Sequence, residues 1–532
     1  MLKTNRNRLR GGVALMAVAC LAAPLAACTV SVELPRPERD MSTFLDEMTI
    51  PELQRAMDEG EVDAEQLTQG YIDRIEELNP TLHAVLEVNP DALDIARESD
   101  ERRESDQSRG PLEGIPVLIK GNMDTADQQM TTAGSTALSD SKPEQDAFLV
   151  QRLRDAGAIV LGKTNLSEWS NFYSSRQIPG WSAVGGQTGN AYDLERTPCG
   201  SSSGAAVAAA AALATVTIGT DTDGSITCPA ASASTVGLKP TLGVVSRSGV
   251  IPITSAQDSP GPIARTVTDA AITLQVIAGF DDTDAGSIDG GLPQDLDEML
   301  DQNALRGSRI GVWRDGHEGI DDEADDAFDM SVEVLRGMGA EVVEGADVPD
   351  IASLVPTDLL PALLTEFKHG LNGYLAATPG AHPQSLTELI AYNQEHAEVE
   401  LPSPLEQDWL VMADQTEGNL DDPEYLAHRE TVTTRAQESV DEVLQKYDLD
   451  AIVTISDLPA LPLHSDEHPP FQSSTRNTSS AGYPHVTVPT GFTESGLPIG
   501  LSFIGTRLSD SSLISFAYAY EQAVDARRAP KL

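Results

Sequence analysis

Basic residues are scarce in this chain: 35 Lys+Arg stand against 83 Asp+Glu, a formal net charge of −48 over 532 residues. So little positive charge repels phosphate backbones and excludes nucleic acid as a partner. The acids are spread along the chain instead of gathered in a tail, which is the pattern of a solvated surface. Such an excess keeps a protein hydrated when salt screens repulsion, and it reads as adaptation to a salty medium, with acid-tolerant secretion as the alternative. Cysteine is also scarce. Only Cys20, Cys28, Cys199 and Cys228 are present, too few for a disulfide framework in a chain this long. Of nine histidines only His464 and His468 stand four apart, and Pro462, Pro469 and Pro470 indicate a loop there, so no metal site and no cofactor are expected. No internal repeat or long low-complexity tract is present. What remains, 40% hydrophobic and 22% charged residues, is the composition of a folded globular protein.

The first 27 residues read as a processing segment. Lys3, Arg6, Arg8 and Arg10 form a basic start, and an apolar run ends in Leu25-Ala26-Ala27-Cys28. This resembles a bacterial lipoprotein signal, which implies cleavage before Cys28 and lipidation of its thiol. A plain secretory peptide and an uncleaved anchor are the alternatives; each exports the protein or holds it at the cell envelope. Contact with membrane is then expected only through the lipid anchor. Residues 28–41 form a short tether.

From there to residue 532 the pattern is that of one domain. Thr49-Ile50-Pro51-Glu52 has the form of a capping box opening a helix, and helical spacing continues through Leu67, Tyr71, Ile75 and Leu78. A charged stretch at 101–110 reads as a loop, followed by a buried strand at 115–119 with Lys120 at its end. Residues 147–156 have helical spacing and 158–161 are strand-like. Residues 205–214 are nearly all alanine, too short to cross a bilayer and fitted to a packed core helix. Further strands are expected at 310–313, 451–455, 485–488 and 499–503. The alternation predicts an α/β fold, a single large domain with a mixed central sheet covered by helices on both faces. The acid-rich stretch 281–404 is expected to be a helical elaboration of it.

Three segments carry chemistry: Gly114-Ile115-Pro116-Val117-Leu118-Ile119-Lys120, Pro198-Cys199-Gly200-Ser201-Ser202-Ser203-Gly204 and Gly219-Thr220-Asp221-Thr222-Asp223-Gly224-Ser225-Ile226. The third is a polar turn after a strand, where successive backbone N–H groups can converge on an oxyanion beside an exposed serine. A serine needs a base. No histidine lies near these segments, and a lysine ending an apolar strand is the substitute, since burial disfavours its charged form. Singly, each feature has a bland reading as a solvated lysine or a turn serine.

In this order the three segments resemble the amidase signature family, and Ser480-Ala481-Gly482-Tyr483-Pro484 and Gly496-Leu497-Pro498 match its style. The resemblance implies Lys120 as base, Ser201 as a serine in a cis peptide linkage that passes the proton, and Ser225 as nucleophile. It implies an oxyanion hole from the backbone of Thr222, Asp223, Gly224 and Ser225, with Ser202 and Asp221 in support. The substrate is then a small amide or an amidated peptide.

Departures from the common pattern are Asp223 in place of a glycine, Thr227 in place of an arginine partner for Asp221, and Gly121 in place of an aspartate. The first two, with Asn165-Leu166-Ser167-Glu168-Trp169 and Gly185-Gly186-Gln187-Thr188, are similar to the peptide amidase branch, whose members release ammonia from C-terminally amidated peptides. The other readings are a broad aliphatic or aryl amidase, a silent lipid-anchored binding protein and one component of a tRNA-dependent amidotransferase, and the sequence leaves the oligomeric state open. Cys199 and Cys228 flank the serine segments and are expected as small buried thiols, a bridge between them being the alternative.

Overall fold

The computed structural model describes residues 40–293, 295–402, 405–463, 465 and 474–532, all within one compact unit. The strands are β1 (Val85–Val88), β2 (Pro116–Lys120), β3 (Ile159–Thr164), β4 (Trp181–Ser182), β5 (Gly186–Gln187), β6 (Val216–Asp221), β7 (Val236–Lys239), β8 (Ser259–Ala264), β9 (Arg309–Val312), β10 (Glu341–Glu344), β11 (Ala451–Ile455), β12 (His485–Phe492) and β13 (Pro498–Ile504). All but the β4–β5 pair join one 11-stranded sheet in the order β1-β3-β2-β6-β8-β7-β12-β13-β11-β9-β10. β3, β2 and β6 run parallel, as do β11, β9 and β10, and antiparallel pairs fill the middle. The central strands are apolar because both faces are covered: β2, β3, β6, β11 and β13 are buried at every residue. This is the mixed, helix-covered sheet that the alternating pattern predicts.

Local signals act as expected at the N-terminus. Glu52 reaches back to accept from the Thr49 backbone N–H at 2.8 Å, opening the helix Ile50–Asp58. The alanine-rich segment forms the helix Ser203–Ala210, buried on all sides. It lies so close to the sheet edge that a Cβ on Gly204 would meet Ala84 O at 2.4 Å and Asn165 O at 2.5 Å. It is shorter than the apolar run. Ala212 takes a positive φ, and the chain turns so that β6 can start at Val216, in register with Val117 of β2.

Two expectations are corrected. The charged stretch at 101–110 is not all loop, because the helix Ala92–Glu104 runs through its first residues. Arg102 there pairs with the buried Glu113 at 2.8 Å, so the charge that suggested solvent is tied to the core. The stretch 281–404 is not purely helical. β9, the helix Asp322–Gly337 and β10 form a β-α-β unit that extends the sheet to its far edge. Only the later part is a helical layer, with the helices Leu360–Ala377, Leu386–Glu395 and Ala397–Glu400. With Asp408–Asp414 it packs a second apolar cluster, Phe367, Leu371, Leu389 and Leu410, against Trp169, Phe172 and Ile253 of the sheet domain. Among the described residues no helix is long and apolar enough to cross a membrane. Cys28, His464 and His468 lie outside the described residues.

Candidate active site

β2 ends on Lys120 and its parallel neighbour β6 on Asp221, so the two chemistry-bearing segments meet at the carboxyl ends of adjacent strands, where open α/β sheets place their sites. Lys120 is 0% exposed. Its Nζ donates to Ser201 Oγ at 2.7 Å and to Thr220 Oγ1 at 2.8 Å, and Asn122 Nδ2 donates to the same threonine oxygen at 3.2 Å. Removal from water disfavours the ammonium and brings its pKa from 10.5 down to about 7; Asp221 and Asp258 pull upward without cancelling the burial. The lysine can therefore exist as a free amine near neutral pH.

The Gly200–Ser201 peptide is cis, and Ser201 is buried with its carbonyl accepting from Ser167 N at 3.0 Å. One residue on, Ser202 N donates to Ser225 O at 3.1 Å, pinning the serine loop to the next segment. The Ser202 hydroxyl donates to Thr220 O at 3.0 Å and accepts from Thr220 N at 3.1 Å. Its role is to stitch the loop to β6.

The turn after β6 is braced from below. Asp221 accepts from Gly224 N at 3.0 Å, Ile226 N at 2.7 Å and Ser479 Oγ at 3.0 Å. These three donors replace the arginine partner that Thr227 does not supply. Gly224 sits at φ 92°, where a side chain would be strained and a Cβ would meet Thr475 Oγ1 at 2.7 Å. Thr222 donates from Oγ1 to Asp258 at 2.6 Å, and its carbonyl accepts from Gln257 Nε2 at 3.0 Å. Gln257 in turn accepts from Arg429 Nη1 at 2.7 Å, and Arg429 pairs with the buried Glu366 at 2.6 Å. The helical layer is thus wired to the turn. Asp223 points away to Arg476 at 3.5 Å and Thr475 Oγ1 at 3.3 Å, so its extra charge is paired at the mouth.

Asp221→Asn is expected to cost about 1–3 kcal/mol of stability, because an amide N–H₂ then faces backbone donors that had a carboxylate. It should also lower any turnover at the site by loosening the turn. Thermal unfolding and kcat measured together check this; unchanged values of both would remove Asp221 from its bracing role.

Ser225, 7% exposed, opens with Thr222, Asp223 and Gly224 onto a cavity of about 400 Å³. Its lining combines the apolar Ile253, Leu359, Leu363 and Trp409 with the polar Asn171, Asp457 and Arg476. The expectation of buried thiols is corrected here: Cys199 and Cys228 form a disulfide, half-buried in the cavity wall, with a Cα–Cα distance of 6.0 Å. The cause is tertiary, since the bond between Ser202 N and Ser225 O draws the loop at 199 onto the segment leading to the helix Thr227–Ser232. Thr220, Asn122, Asp258, Gln257, Arg429 and Ser479 escape sequence reasoning. Thr220 stands inside a quoted segment and Asn122 and Ser479 lie just outside two others, without a signal of their own; Asp258, Gln257 and Arg429 come from other parts of the chain.

A mixed sheet with a braced, serine-bearing turn at its strand ends, a buried lysine beside it and a partly apolar cavity in front has the form of an α/β enzyme. The chain belongs to the amidase family, whose family model matches residues 66–514, and it is an amide-hydrolysing enzyme. A solved structure of native peptide amidase from Stenotrophomonas maltophilia is 45% identical with a TM-score of 0.86, covering 92% of this chain and 99% of that one. A probable amidase of Arabidopsis thaliana is 39% identical over 504 residues, 92% of this chain and 93% of its own length. The solved structure of an amidase family protein from Bacillus anthracis is 33% identical with a TM-score of 0.84, covering 92% of this chain and 94% of that one.

Proposed function

We propose that the protein releases ammonia from C-terminally amidated peptides through an acyl-enzyme on Ser225. The observation that carries this is the 2.7 Å contact of a buried, readily deprotonated Lys120 with Ser201, in a loop bonded to the Ser225 segment. Ser225 attacks the carboxamide carbon while its proton passes through the Ser201 hydroxyl to the Lys120 amine. The tetrahedral oxyanion is held by backbone N–H groups of the turn. Gly224 N–H is already engaged by Asp221, so the donors are those of Thr222, Asp223 and Ser225, each worth about 2.7–4 kcal/mol in the transition state. The proton returns through Ser201 to the leaving ammonia, and water then releases the acid by the reverse path. The likeness to the peptide amidase of Stenotrophomonas maltophilia and a partly apolar cavity of about 400 Å³ support the peptide substrate.

The test is ammonia release from a C-terminally amidated dipeptide at high salt. Release at a rate well above that from simple aliphatic amides is expected. Hydrolysis of simple amides with none of the dipeptide would keep the enzyme and discard this substrate. Export as a lipoprotein is proposed on the leader alone. Fatty-acid labelling of the expressed protein should be lost in Cys28→Ser, and labelling that persists would rule out Cys28 as the acceptor.

A further inference from the structure

We infer that the two sulfurs of Cys199 and Cys228, once reduced, form with the Asp457 carboxylate a binding site for a thiophilic divalent cation such as zinc or cadmium, and that the ion closes the active site. The ligand atoms of these three residues lie within 4.8 Å of one another. They come from three separate elements: the loop before Ser201, the helix after Ser225 and the loop that follows β11. All three line the cavity onto which Ser225 opens, and all three are half-buried, so a small reductant and an ion can reach them. Two thiolates on one tetrahedral zinc lie about 3.7 Å apart, given metal–sulfur bonds of about 2.3 Å. A Cα–Cα distance of 6.0 Å allows that separation with side-chain rotation alone. Two sulfurs and one carboxylate oxygen leave a fourth position for water, a donor set suited to zinc and cadmium and poorly suited to magnesium or calcium.

The chemistry balances. A dithiol or phosphine reductant adds two electrons and two protons across the sulfur–sulfur bond, giving two thiols and the oxidised reductant. The cation then forms two bonds to sulfur and one to the Asp457 oxygen, and both thiol protons are released to solvent. An ion held there occupies part of the same cavity of about 400 Å³ that Thr222, Asp223, Gly224 and Ser225 line, and so competes with substrate for it. The oxidised enzyme has no free thiolate and cannot hold it. The structure therefore assigns to this disulfide a second state in which hydrolysis is blocked by soft metal.

The inhibition arm rests on the amidase reading, and the binding arm does not. The chain carrying Cys20→Ser and Cys28→Ser, so that only 199 and 228 remain, is reduced with a phosphine, freed of reductant and titrated with cadmium. Two titratable thiols, sulfur-to-cadmium charge-transfer absorption saturating at one equivalent, and no such absorption in the oxidised protein are expected. Asp457→Asn should weaken cadmium binding at least tenfold, while Cys228→Ser should abolish the one-equivalent endpoint. One equivalent of zinc should lower amide hydrolysis of the reduced enzyme at least tenfold and leave the oxidised enzyme unchanged. A bond that resists the phosphine in folded protein, absorption that does not saturate at one equivalent, or equal zinc sensitivity of both forms would overturn the inference. Metal binding without any amidase activity in the oxidised enzyme would overturn the function proposed above and leave the site standing.

Discussion

Ser225→Ala is expected to lower kcat on an amidated dipeptide by about 10⁶-fold, the scale seen when a nucleophile that works as part of a unit is removed. The remaining rate would come from the oxyanion donors, whose backbone N–H groups the substitution leaves in place. Stability should change by less than about 1 kcal/mol, because the Ser225 hydroxyl holds none of the bonds that brace the turn. Those run through Asp221, Thr222 and Gly224. KM should stay close to that of the parent enzyme. Steady-state kinetics beside a thermal melt make the check. A loss of less than a hundredfold in kcat, with the fold intact, would place the nucleophile elsewhere.

Lys120→Met is the second. It removes the amine but keeps an unbranched chain of similar size in the same buried slot. A loss of about 10²- to 10⁴-fold in kcat is expected for removal of a general base. The pH profile separates a base from a structural residue. Lys120 has its pKa pulled down to about 7 by burial, so the free amine is the minor form below that pH and the major form above it. kcat/KM of the parent enzyme should rise tenfold per pH unit up to about 7 and level off above. In Lys120→Met the rising limb should vanish, leaving a low, flat rate. A limb that survives the substitution unchanged would assign the titration to another group and remove Lys120 as the base.

The candidate site was legible as a set of segments because each is a contiguous run whose residue types state a chemical need, and the structure brings the three together. A lysine ending an apolar strand and a polar Gly-containing turn after a strand are each bland alone, and only their order along the chain marks them as candidates for base, nucleophile and oxyanion donors. Strands 451–455 and 499–503 were legible for a related reason, since interior strands are apolar runs with no competing helical period. β10 was not. Its sequence Glu341-Val342-Val343-Glu344 is short, acid-ended and only half-buried at an edge, so nothing distinguished it from a loop. Arg429, Gln257 and Ser479 were illegible on other grounds. Each is an ordinary polar residue until the chain brings it beside the turn, and the separation between Arg429 and Gln257 spans 172 residues. The Cys199–Cys228 bridge was open only as the alternative to buried thiols, since two cysteines in a long chain carry no pairing signal.

The amino-acid sequence by itself determined the α/β class, the acidic balance and which residues are candidates for the chemistry, because these follow from composition, period and contiguous motifs. The tertiary structure decided what those groups can do. Parallel pairing of β2 with β6 set Lys120 beside Thr220 and the Ser201 loop. Burial took the lysine's water away and lowered its pKa to about 7, which fits it for the proposed role of base. A carboxylate beneath the turn, with Gln257 and Asp258 around it, aimed the backbone, and helices from 355 to 414 raised the cavity wall. Desolvation and convergence depend on neighbours distant along the chain, and no local stretch of sequence contains them.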